Sequence, residues 1–139
     1  MLFIPEKKLE TGFYYVKDYA SSSTVSLKLE KNGLESILHI DTLAICTKED
    51  FKEVNIDISG YANLTVISIK LSEEGGAKFA KATEESVGRR IAIISKGKLL
   101  SAPYVNEPIY GGELQISSNF TFEEAEKIKN EITEKSETK

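Results

Sequence analysis

The chain has 139 residues, 29% of them charged, and a formal net charge of −4. That fits one solvated domain over residues 1–132 with a polar tail at 133–139. At this length folding buries roughly two-thirds of the unfolded chain's surface, enough for a core without covalent staples. There is no large basic excess to neutralise phosphates, so nucleic acid is excluded as the expected partner. Cys46 is the single cysteine, which rules out an internal disulfide and leaves the redox compartment open.

No stretch approaches the roughly 18 consecutive apolar residues that a membrane-spanning helix needs. Met1-Leu2-Phe3-Ile4-Pro5 is too short for the apolar segment of a signal peptide and has no basic run before it. Two expectations stand side by side: a cytoplasmic protein that starts here, or an extracytoplasmic one whose targeting or anchoring segment lies outside these residues.

In chain order, Gly12–Val16 and Thr24–Glu30 read as strands, the second alternating with Val25, Leu27 and Leu29 on a core face. Lys31-Asn32-Gly33 is a turn in which Asn or Gly adopts positive φ at little cost, so a hairpin is predicted. Ile37–Cys46 is apolar and β-branched, Thr47–Phe51 resembles a capped single turn, and Val54–Ile58 alternates as a half-buried strand. Leu64–Leu71 follows, with Thr65, Ile67, Ile69 and Leu71 as its core face.

Ser72 is the predicted N-cap of a helix over Glu73–Val87, with Glu73 and Glu74 favoured in its first turn by the macrodipole. Its inward stripe is Gly76, Phe79, Ala80, Thr83 and Val87. Gly75 and Gly76 each cost roughly 1 kcal/mol against alanine, so the pair predicts a close backbone contact or a late start to the helix. Gly88 stops the helix, and Arg89–Ser95 becomes a strand apolar enough to be covered on both faces. Lys96-Gly97 turns the chain into Lys98–Ala102, which Pro103 ends. After an irregular segment through Pro108 and Gly111-Gly112 come a strand at Glu113–Ser117 and a helix opened by Thr121 and Glu124 at capping-box spacing. Phe122, Ala125, Ile128 and Ile132 form its predicted buried face. This order predicts an α+β fold, a mainly antiparallel sheet with two helices packed on one face.

No catalytic constellation emerges. His39 and Cys46 lie seven residues apart, so on one regular strand they point to opposite faces and make a poor dyad. Glu73-Glu74, Glu84-Glu85 and Glu123-Glu124 are adjacent on helices and do not face each other. The Gly75-Gly76 pair is followed by no Gly-Lys-Ser/Thr of a phosphate loop. A metal site would need three or four convergent ligands, which the sequence does not advertise. The expectation is therefore no catalysis, no cofactor and no metal. Arg89 and Arg90, with Lys96 and Lys98, form a local basic cluster that either meets an anionic surface or serves solubility. Tyr104 and Tyr110 flank Pro108 in the irregular loop, where aromatic residues either anchor a partner or cover the core. These two tyrosines and two arginines are the candidate partner surface.

One stretch has a more specific pattern. Leu71, Gly75 or Gly76, Phe79, Thr83, Gly88-Arg89, Ile91-Ala92-Ile93, Gly97, Ala102-Pro103, Gly111-Gly112 and Glu123-Glu124-Ala125 follow one another at spacings that resemble the head subdomain of the first extracytoplasmic domain of SecD. The resemblance covers about residues 71–128, with Lys96 where the family usually has an acidic residue and Ser118 where it has a glycine. It implies a non-enzymatic extracytoplasmic module that contacts a translocating polypeptide or the export machinery. It also implies a protein partner, no small-molecule cofactor, and a membrane reached only through an anchor or partner outside this chain. A free-standing secreted or lipid-anchored binding protein with the same fold is the alternative.

Overall fold

The computed structural model describes residues 9–31, 33–59 and 64–133. In chain order these are β1 (Gly12–Lys17), β2 (Thr24–Lys31), β3 (Leu34–Thr47), a 3₁₀ turn (Lys48–Asp50), β4 (Phe51–Ser59), β5 (Leu64–Leu71), α1 (Glu73–Glu85), β6 (Ile91–Ser95), β7 (Lys98–Ser101), β8 (Glu113–Phe120) and α2 (Phe122–Thr133). The fold is α+β, and every strand pair is antiparallel. The strands divide into a five-stranded sheet in the order β2-β3-β1-β6-β7 and a three-stranded sheet in the order β4-β5-β8.

β1 and β6 occupy the middle of the larger sheet and are buried on both faces, as the unbroken apolar run at Ile91–Ile94 requires. One face carries Phe13, Ile91 and Ile93 into the main core, where they meet Ile67, Ile69 and Ile116 of the smaller sheet and Ala125, Ile128 and Ile132 of α2. The other face carries Tyr14, Ala92, Ile94 and Ile40 into a second cluster joined by Leu27 of β2 and Leu99 of β7. Those two strands are the opposite edges of the sheet and approach each other, so the sheet curls around this second core.

The curl is reached through irregular pairing. β1 and β3 slip register twice, so that Cys46 pairs with Phe13 and His39 with Lys17. The sequence reading placed His39 and Cys46 on opposite faces, and the bulges correct it. Their partners lie four apart on β1, hence on one face and roughly 13 Å apart along the strand. The two side chains have separate contacts: the Cys46 thiol donates to the Gly75 carbonyl at 3.5 Å, and His39 Nδ1 shares a hydrogen bond with Ser26 Oγ at 2.9 Å.

Three further expectations are adjusted. α1 ends at Glu85 with Ser86 as its cap, so the predicted inward residue Val87 is 49% exposed, and the buried stripe is Gly75, Phe79, Ala82 and Thr83 rather than one through Gly76 and Ala80. Ser72 caps the helix as expected, its Oγ accepting from Gly75 N–H at 3.0 Å. Phe122, predicted to be buried, is 49% exposed because it opens α2 before the first inward position at Ala125. The predicted capping box is present: Thr121 N–H donates to Glu124 Oε1 and Glu124 N–H to Thr121 Oγ1. Asn32 of the predicted turn and residues 134–139 of the predicted tail lie outside the described residues.

Candidate functional site

A cleft of about 880 Å³ opens between the two sheets. Its apolar floor is Phe13, Phe79, Ile91 and Ile93, from the larger sheet and α1. Ile69 and Leu114 of the smaller sheet continue the apolar lining, and the polar rim includes Glu53, Lys70, Glu113 and Gln115. The remaining wall is the segment from Pro103 to Ile109 that links β7 to β8.

That linking segment is held by named contacts. Ile91 N–H donates to Pro103 O at 3.1 Å, Val105 N–H to Arg89 O at 2.8 Å and Gly88 N–H to Val105 O at 2.8 Å, so residues 103–105 continue the edge of the larger sheet. Farther along, Ile109 N–H donates to the fully buried Thr83 Oγ1 at 2.9 Å, and that hydroxyl in turn donates to a carbonyl one turn back in α1. Thr83 is thus the post that fastens the cleft wall to the helix. At the segment's end Gly112, with φ of 74°, lies against Gly76, and a Cβ added at Gly76 would be 3.2 Å from the Gly112 Cα. Gly75 is equally constrained: an added Cβ would meet the Asp50 Cβ at 2.7 Å. The paired glycines are therefore the close approach that their helix-breaking cost predicted.

Tyr104, 62% exposed, lines the cleft, and the Arg90 guanidinium lies 4.9 Å from its ring centroid while the Arg90 Nε donates to Ala102 O at 2.7 Å. Arg89 turns away to Asp18, at 2.6 Å. Tyr110 sits over the C-terminal end of α1, where its hydroxyl donates to Glu84 Oε2 at 2.7 Å, a bond that pushes its pKa up. Of the four predicted residues the structure therefore brings Arg90 and Tyr104 together at the cleft and sets Arg89 and Tyr110 apart from it. Both arginines are engaged within the chain, so they form no free basic patch.

The cleft residues that the sequence reading did not single out are Glu53, Lys70, Glu107, Glu113 and Gln115. Three carboxylates face one ammonium, and Lys70 is 4.0 Å from Glu53. Among the described residues Glu107 and Glu113 form no ion pair. The polar alternation of Glu113 and Gln115 against Leu114 and Ile116 was legible, but its meaning depends on the second sheet. No group of three or more His, Cys, Asp or Glu placed to hold a metal ion occurs among the described residues.

The family described as SecDF, P1 head subdomain, matches residues 24–134. The chain belongs to this family. The match begins well before the stretch at 71–128 that resembled the SecD head, because the β2–β3 hairpin offers few punctuating glycines or prolines to read. This P1 head is 36% identical over 102 residues to the protein translocase subunit SecD of Acidaminococcus fermentans, covering 72% of the chain and 24% of that protein. It is 39% identical over 85 residues to SecD of Calditerrivibrio nitroreducens, covering 61% of the chain and 16% of the relative. The chain thus spans a quarter or less of these relatives. Among solved structures, SecDF in a super-membrane-facing form superposes with a TM-score of 0.67 at 20% identity, over 88% of this chain and 18% of that one. A second SecDF structure, described as a membrane component that enhances protein export, gives 0.66 at 20% identity over 91% and 62%. Those likenesses show a shared fold. No helix among the described residues is long and apolar enough to cross a membrane.

Proposed function

We propose that this P1 head is a non-enzymatic extracytoplasmic module that holds a segment of polypeptide in the cleft between its sheets, in the service of protein export. The observation that carries this reading is the cleft itself, about 880 Å³ with an apolar floor, a polar rim and the exposed Tyr104 on its wall. Binding sites are typically concave and mostly apolar with a few placed polar groups, and exposed aromatic residues on a held loop are common anchors. Membership of a family whose relatives are translocase subunits supports a polypeptide as the class of partner.

Site-specific photocrosslinking tests it. A photoreactive residue at Tyr104 should give adducts with a translocating chain, whereas the same residue at Tyr19, 82% exposed on the β1–β2 connection, should not. Adducts at Tyr19 with none at Tyr104 would remove the cleft as the contact surface.

A further inference from the structure

We infer that the cleft captures its polypeptide by strand addition to the free edge of β8, and that it favours segments in which apolar residues alternate with basic ones. The inference rests on the polypeptide-holding role proposed above and specifies how the chain is read.

The first observation is a row of backbone groups without partners among the described residues. Among the described residues β8 is an edge strand of the smaller sheet, paired with β5 alone. Leu71 N–H donates to Gly112 O at 2.7 Å, Lys70 is opposite Glu113, and Ile69 is opposite Leu114. In an antiparallel ladder this phase turns the N–H and C=O of Leu114 towards β5 and those of Glu113 and Gln115 away from it. Glu113, Leu114 and Gln115 all line the cleft. On the facing wall, the bonds of Ile91 to Pro103 and of Val105 to Arg89 bracket Tyr104, so its backbone N–H and C=O likewise point away from the larger sheet. Native edges are usually blunted by Pro, Lys or a covering element. Glu113–Ile116 contains neither residue. An extended backbone is the ligand that satisfies such a row, and strand addition is a recurring mode of peptide recognition.

The second observation is charge. The carboxylates nearest the free edge are Glu107 and Glu113; Glu53, two strands away on β4, is beside Lys70, and the Arg90 guanidinium is held on the Tyr104 ring and Ala102 O. An added strand points alternate side chains to the apolar floor and to this rim, so basic residues at the rim positions complement it.

The test uses blocked peptides alternating valine with lysine or valine with glutamate, and the whole chain. The Val/Lys peptide should bind more tightly than the Val/Glu peptide and slow amide exchange at Glu113 and Gln115 by about tenfold or more. N-methylation of one alternate set of peptide residues should weaken binding about tenfold, the loss expected for two or so net hydrogen bonds, while the other set is tolerated. Gln115→Pro removes an outward N–H without touching the β5 ladder; it should bind about tenfold more weakly, with Gln115→Ala as the control that keeps the donor. Peptide binding that tolerates both N-methylated sets, with exchange at Glu113 and Gln115 unchanged, overturns strand addition and leaves the cleft reading standing. Equal affinity for the two peptides overturns the charge preference. Concentration-dependent protection of those amides without peptide assigns the edge to a second copy and overturns the inference. No binding by any peptide, together with no crosslink at Tyr104, removes the proposed function as well.

Discussion

The same two sheets meet at two ends, and the ends are finished in opposite ways. At one end α2 inserts Ile128 and Ile132 against Ile69, Ile93, Ile116 and Leu100, leaving a void of about 10 Å³, too small for more than a single water. At the other end no helix among the described residues fills the gap, and about 880 Å³ stays open beside Tyr104. Phe13 belongs to both, lining the void and the cleft, with ring centroids 5.3 Å from Phe51 and 5.3 Å from Phe79. Apolar surface that is packed stabilises the fold, whereas apolar surface left open at a concave site is available to a ligand. The closed end therefore accounts for the fold's stability and the open end for its proposed work.

Truncating the shared aromatic residue should have the largest effect. Phe13→Ala removes a fully buried ring from the junction of the two ends and should cost about 3–5 kcal/mol in urea unfolding. A cost below about 1 kcal/mol would mean that the two ends do not share one core.

Alkaline pH should loosen the buried groups next. Burial, then the neighbouring Asp50 charge, raises the Cys46 pKa from 9.0 to about 12. Burial, then the Glu10 charge, raises that of Tyr14 from 10.0 to about 12. Between these values the unfolded chain has released its protons and the folded chain still holds them, so stability falls as pH rises. The contribution is complete below about pH 9 and is lost towards pH 12. Cys46→Ala should move the onset of the loss from near pH 9 to near pH 10, where Tyr14 begins to titrate in the unfolded state; an unchanged profile would exclude the thiol as a cause.

How far all this was legible depends on the range of the signal. The capping residues Ser72 and Thr121, the covered strand at Ile91–Ser95 and the tight approach at Gly75-Gly76 could be read because their causes lie within a few residues. The double register slip in β3 could not, because bulges are fixed by β1 across the sheet, and this is what misplaced His39 relative to Cys46. The division into two sheets is likewise a long-range choice. At the site, Tyr104 and Arg90 were found from loop position and charge, but the cleft between them and β8 exists only once the two sheets are brought together.

Thr83 offers an intermediate test at the boundary of the open end. Thr83→Val keeps the shape but leaves the Ile109 N–H without its acceptor, a loss of about 1–3 kcal/mol. Faster amide exchange should spread through residues 103–109 and leave α2 untouched. Equal loosening of α2 would show that the two ends unfold as one unit.

The smallest effect on stability should come from Tyr104→Ala. The residue is 62% exposed and the main partner of its ring is the Arg90 guanidinium, so the substitution removes at most an exposed cation–π contact of about 0.5–1 kcal/mol. Arg90 keeps its bond to Ala102 O, and the backbone bonds of Pro103 and Val105 are unaffected. The melting temperature should therefore barely move. Binding of a Val/Lys peptide should fall about tenfold, because an exposed aromatic on a fixed wall contributes to an interface far more than to the free fold. The same ratio measured at Ile132 should invert, with a large loss of stability and no change in affinity after correction for the folded fraction. If Tyr104→Ala instead destabilises the fold and leaves peptide affinity alone, the open end is a loosely packed part of the core, and the division of labour between the two ends is wrong.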